Sequence, residues 1–121
     1  MLRHILPLAL AFVSITPALA RDPYPPMING QKLLDYCNSR EQHRRFSCGY
    51  YVMGAVDLLI NNERLFGTEA SGKYAVCPPP GKTPEELVTM VKHYIENHPA
   101  DRERPGYELA FAAMREAFPC K

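Results

Sequence analysis

Four cysteines in a short chain, Cys37, Cys48, Cys77 and Cys120, constrain the fold more than any other feature. A structural zinc site needs close pairs of the C-x-x-C kind, and the chain has none. There is no C-x-x-C-H string for haem attachment either. An even number of widely spaced cysteines in a small exported domain reads as a disulfide framework. Export is itself legible. Residues 1–20, MLRHILPLALAFVSITPALA, place the single cation Arg3 before an apolar run and end in Ala18-Leu19-Ala20. That is the order of a secretory signal, with cleavage expected between Ala20 and Arg21. The apolar run holds Pro7 and is too short to span about 30 Å of hydrocarbon, so a membrane anchor is not expected.

With the signal removed, residues 21–121 carry 13 cations and 13 acids, because Arg3 departs with residues 1–20. Such a neutral domain has no electrostatic footprint for nucleic acid. Twelve prolines in 121 residues could signal low complexity, but their positions argue otherwise. Two lie in the signal, and three fall in residues 21–28, RDPYPPMI, which should form an extended lead-in. The rest bracket helices or sit in one long loop.

Residues 29–121 then read as a helical domain. Asn29 can cap a first helix over 30–39, in which Leu33, Leu34 and Cys37 share a face. The polar stretch 39–45 connects to the next element, and His43-Arg44-Arg45 reads as a solvated turn rather than an anion site. A second helix spans 46–61, with Phe46, Tyr50, Met53, Asp57 and Ile60 on one stripe. Gly49 and Gly54 lie inside it, each costing about 1 kcal/mol relative to alanine, and close approach of another backbone is the expected compensation. Asp57 is the odd residue on this helix. It reads first as a half-exposed acid bonded to a neighbouring element, and second as a contact for a partner.

Residues 62–82 lack helical periodicity and hold three glycines and three consecutive prolines, so a long loop is expected there. The third helix has the best start signal. Thr83 is its N-cap, Pro84 its first residue, and Glu86 completes a capping box. Leu87, Met90, Val91, Tyr94, Ile95 and His98 recur at helical spacing until Pro99 ends the run. The fourth helix covers 104–117, with Tyr107, Ala110, Phe111, Met114 and Phe118 as its apolar face. The expected fold is all-α: a small four-helix bundle of antiparallel helical hairpins stapled by two disulfides. Four cysteines allow three pairings. The helix reading favours Cys37 with Cys48 and Cys77 with Cys120, since each pair then joins one end of a helical hairpin.

Catalytic and metal signatures are missing. His93, Glu96 and His98 form an H-x-x-E-x-H string, but five residues of helix turn the two histidines well off one face, so neither a metal nor any other cofactor is expected. The chain has no nucleophile elbow, H-E-x-x-H or phosphate loop, and the paired cysteines leave no free thiol. A binding protein is expected rather than an enzyme.

Four pieces in order resemble the Rap/Tai family of immunity proteins. They are Cys48-Gly49-Tyr50-Tyr51-x-Met53-Gly54-x-x-Asp57, then Cys77-Pro78, then Tyr94-Ile95-Glu96-Asn97-His98-Pro99, and finally Ala117-Phe118-Pro119-Cys120. The resemblance covers residues 30–120 and implies a small periplasmic helical protein. It also implies that the chain binds and blocks a peptidoglycan amidase effector of a type VI secretion system, and that it is a homodimer. Gly106 stands where the family pattern has alanine, which should weaken the first turn of the last helix. An immunity protein need only occlude a cleft. Arg64, Phe66 and Tyr74 in the long loop are the candidate anchors, with Asp57, Glu63 and Glu69 supplying charge. The rival readings are a periplasmic acid-stress chaperone, with His43, His93 and His98 as its sensors, and a structural envelope protein.

Overall fold

Helix starts follow from side chains that can satisfy the first free backbone N–H groups. In the computed structural model, which describes residues 26–67 and 74–121, Asn29 accepts from the Lys32 amide at 2.9 Å and opens α1, Gly30–Cys37. Helix α2 is Gln42–Ile60, and a short α3, Asn62–Phe66, follows it directly. Helix α4 is Pro84–Asn97, a 3-10 turn covers Pro99–Asp101, and α5 is Gly106–Ala117. The described residues contain no strand, only isolated bridges between Asn29 and Pro105 and between Val76 and Pro119. The expected cleavage site, Ala20 and Arg21, lies outside the described residues.

Two starts differ from the sequence reading. Helix α2 begins at Gln42, four residues before the expected position, so His43, Arg44 and Arg45 form its first turn rather than a connector. Gln and Arg are good helix formers, and Glu41 reaches Arg44 at 2.9 Å and His43 at 3.3 Å. Arg45 folds back onto the carbonyls of Ser39 and Arg40. Helix α3 occupies the start of the expected loop. The buried amide of Asn62 donates to the carbonyls of Leu59 and, at 3.3 Å, Tyr74, which ties this turn to the chain beyond residue 73.

The core is a single apolar cluster to which all four long elements contribute. Leu33 and Leu34 come from α1, Cys48, Val52 and Val56 from α2, Val91 and Ile95 from α4, and Leu109, Ala110, Ala113 and Met114 from α5. The fold is a four-helix bundle in which α1 packs on α2, and α2 and α5 each pack on α4. A disulfide joins Cys37 at the end of α1 to Cys48, which is 1% exposed in α2. A second joins Cys77 to Cys120 at the surface, beside the Cys77 amide bonded to the Phe118 carbonyl at 2.9 Å.

Two glycines sit where neighbours leave no room. A β-carbon on Gly30 would fall inside the contact distance of Leu109 Cδ1 and 3.1 Å from the Arg102 carbonyl oxygen. A β-carbon on Gly106 would lie 3.1 Å from the Tyr51 ring and 3.2 Å from Leu33 Cδ2. Glycine at 106 therefore answers a packing demand, and its weaker helix propensity is only part of its effect.

The end of α4 is closed by side chains. His98 Nδ1 donates to the Tyr94 carbonyl at 2.7 Å, and its ring stacks on Tyr94 at 3.9 Å between centroids. Arg102 donates from Nε to the Ile95 carbonyl at 3.1 Å and from Nη2 to the Glu96 carbonyl at 3.0 Å. A cation at a helix C-terminus also opposes the negative end of the helix dipole. The string Tyr94-Ile95-Glu96-Asn97-His98-Pro99 is thus a helix stop. The same segment holds α1 in place: Gln31 N–H donates to the Arg102 carbonyl and Gly30 N–H to the Arg104 carbonyl, both at 2.9 Å.

Candidate functional site

Helix α2 carries more apolar residues than one face can bury. Cys48, Val52 and Val56 turn into the core, so the stripe of Phe46, Tyr50, Met53, Asp57 and Ile60 faces outward. Phe46 is 55% exposed and Tyr50 71% exposed. The start of α4 lies alongside, and two hollows of about 440 Å³ each run down the seam. Tyr50, Met53 and Pro84 line both hollows, which makes the surface continuous.

Gly49 and Gly54 belong to this face, and no atom lies within 4 Å of the β-carbon position of either. Among the described residues, the expected close approach of another backbone is therefore not made. The glycines instead leave the helix surface low on either side of Tyr50. Asp57 lines one hollow with Ile60 and Leu87. It is exposed, and among the described residues its carboxylate has no hydrogen-bond or ion-pair partner, so the expected bond to a neighbouring element is not formed.

On the other flank of α2, a groove of about 580 Å³ separates it from α5. Leu58 and Leu59 form one wall, and Tyr107 and Phe111 form the other. Tyr107, expected on the buried face of α5, is 54% exposed here, because α5 buries Leu109, Ala110, Ala113 and Met114 instead. The Tyr74 ring tilts against Phe111 with centroids 5.6 Å apart. Two cations rim the groove. Arg104 is bound by Glu108 at 3.1 Å and Asp101 at 3.5 Å, and the Glu108 hydrogen bond raises its pKa. Arg115 lies 6.0 Å from the centre of the Phe111 ring.

Of the residues expected to meet a partner, the described ones lie on different elements. Asp57 and Tyr74 line hollows on opposite flanks of α2. Glu63 and Arg64 are exposed on α3, Phe66 is the last residue of that helix, and Glu69 lies outside the described residues. Phe46, Tyr50, Leu58 and Tyr107 were missed as surface residues. The available signal was the surplus of large apolar side chains on α2.

His93 and Glu96 approach to 3.9 Å, while His98 is turned against Tyr94. Among the described residues no three His, Cys, Asp or Glu side chains gather, and no helix is long and apolar enough to cross a membrane. The arrangement offers two apolar surfaces rimmed by a few charges, a composition like that of protein-binding surfaces. A family model described as Rap1a immunity proteins matches residues 29–120. No curated protein and no solved structure gives a significant match.

Proposed function

Because the chain belongs to the Rap1a immunity protein family, whose members bind toxins, we propose that it neutralises a peptidoglycan amidase effector of a type VI secretion system by occluding its active site. The compartment in this reading is the periplasm, reached through residues 1–20 as a cleavable signal. Two disulfides support an oxidising destination, since such bonds persist poorly in the cytosol.

The observation that carries the reading is the outward stripe on α2. Aromatic side chains that the fold leaves exposed, flanked by low ground at Gly49 and Gly54, are the kind of anchors that dominate protein interfaces. A stable complex of ordinary size buries about 1,600 Å² in total. Asp57 sits within that patch, its carboxylate without a partner among the described residues, and would select a basic residue of the toxin.

The test is co-expression with an amidase toxin encoded beside this chain and exported to the periplasm. Protection that needs residues 1–20 and is lost in the Phe46→Ala, Tyr50→Ala double variant supports the reading. Protection that survives the double variant removes the α2 stripe from the interface, and a failure of the native chain to protect removes the proposed toxin class.

A further inference from the structure

Asn29-Gly30 is the one Asn-Gly pair in the sequence, and it stands at the start of α1. A following glycine has no β-carbon to hinder its amide nitrogen, so this dipeptide closes on itself more readily than other asparagine pairs. We propose that Asn29 is a modification site held shut by the fold, which deamidates through a succinimide once the α1 anchor opens. The isoaspartate that results then keeps α1 from docking again. This does not depend on the toxin reading, because every group it uses belongs to this chain.

The chemistry needs only water. The Gly30 backbone nitrogen gives its proton to solvent base and attacks Asn29 Cγ. The bond from Cγ to Nδ2 breaks, and Nδ2 leaves as ammonia after taking a proton from solvent. Water then opens the ring at either carbonyl. Attack at Cγ gives aspartate with the main chain unchanged. Attack at the main-chain carbonyl gives isoaspartate, in which the chain runs through Cγ. One water is consumed and one ammonia released, with no change of oxidation state.

The folded chain engages each of these groups elsewhere. The attacking nitrogen donates its N–H to the Arg104 carbonyl at 2.9 Å. The side chain is held at both atoms: Oδ1 accepts from the Lys32 amide at 2.9 Å, and Nδ2 donates to the Glu103 carboxylate at 3.2 Å. The Asn29 backbone is extended, with ψ 174°, and bridges Pro105. Ring closure needs a rotation about its Cα–C bond that brings the Gly30 nitrogen onto Cγ. Gly30 is buried against Leu109 and the Arg102 backbone, so α1 must first leave residues 102–106. Leu33 and Leu34 tie that helix to the core, and such elements open rarely.

The two products differ in what they leave behind. Aspartate caps a helix as well as asparagine does, but sets a second carboxylate against Glu103. Isoaspartate adds a methylene to the main chain and leaves no side chain in the cap position. The Gly30 and Gln31 amides then lose register with the Arg104 and Arg102 carbonyls. A transient opening thus becomes a covalent change.

The experiment ages the purified, disulfide-bonded chain at mildly alkaline pH, folded in buffer and unfolded in guanidinium chloride, and maps Asn29 by mass spectrometry. The unfolded chain should gain isoaspartate at Asn29 at least about a hundred-fold faster than the folded one. Equal rates, or no reaction in the unfolded chain, overturn the proposal. After removal of denaturant, chains bearing isoaspartate should fail to recover slow hydrogen exchange at Gly30 and Gln31. Recovery of that protection overturns the block on docking. Asn29→Ser keeps a good cap and has no amide to lose, so the aged variant should refold fully. An equal loss of refolding in that variant places the damage elsewhere and overturns the assignment to Asn29.

Discussion

Leu109 Cδ1 lies inside contact distance of the place that a β-carbon on Gly30 would take. The contact joins the first turn of α1 to the buried face of α5, and the Arg102 backbone closes the other side of the same site. Gly30→Ala should therefore lower stability by about 1–3 kcal/mol through overpacking, outweighing its gain in helix propensity. Urea unfolding of the variant checks it, and a midpoint equal to or above the native one contradicts the packing argument.

Gly49 and Gly54 should respond with the opposite sign. Nothing crowds a β-carbon at either position, so alanine should raise stability by up to about 1 kcal/mol each. If the stripe meets a partner, the same substitutions should weaken that complex while strengthening the fold. Unfolding and binding measured on the same two variants separate these effects.

The disulfides close chain separations of 11 and 43 residues. Loop-closure entropy assigns them about 3 and about 4 kcal/mol. Against a total of about 5–15 kcal/mol for a small domain, full reduction should lower the melting temperature by tens of degrees or abolish folding. The surface pair, Cys77 and Cys120, should be reduced before Cys37 and Cys48, because Cys48 is buried. Mass spectrometry after timed alkylation reads the order.

The capping box gives a pH prediction. The Thr83 amide, and then Lys82, donate to the Glu86 carboxylate and hold its pKa below the usual value. A carboxyl group with a depressed folded pKa stabilises fully above its unfolded pKa, and the contribution is lost as pH falls through the folded value. Between about pH 5 and about pH 2, Glu86→Gln should therefore lose stability less steeply than the native chain. Equal slopes would deny the box its role. Thr83→Ala should cost about 1 kcal/mol at neutral pH.

Where one residue makes the local decision, the fold could be read from the chain alone. Asn29 caps α1, Thr83 and Glu86 form their reciprocal pair, and Pro99 follows the last residue that α4 can hold. What escaped reading was decided by distant packing. Helix α2 is apolar nearly all round, so periodicity identifies two equivalent stripes and only α1, α4 and α5 select the one that is buried. Tyr107 shares a spacing with Ala110 and Met114, yet the α2–α5 groove leaves it in solvent. The early start of α2 depended on Glu41 meeting Arg44, a contact that reads equally well as part of a polar turn. The candidate site suffered most, since a surface patch is whatever the core declines to take.

Arg102 bears on the order in which the molecule can be completed. Its guanidinium finishes α4 and its carbonyl anchors α1, so two helices far apart in sequence share one residue that follows both. During synthesis α1 emerges early but lacks its anchoring partners until residues 102–106 have been made. Until then its apolar face has no α5 to lie against. Docking of α1 is therefore a long-range closure, slower than the pairing of helices adjacent in sequence.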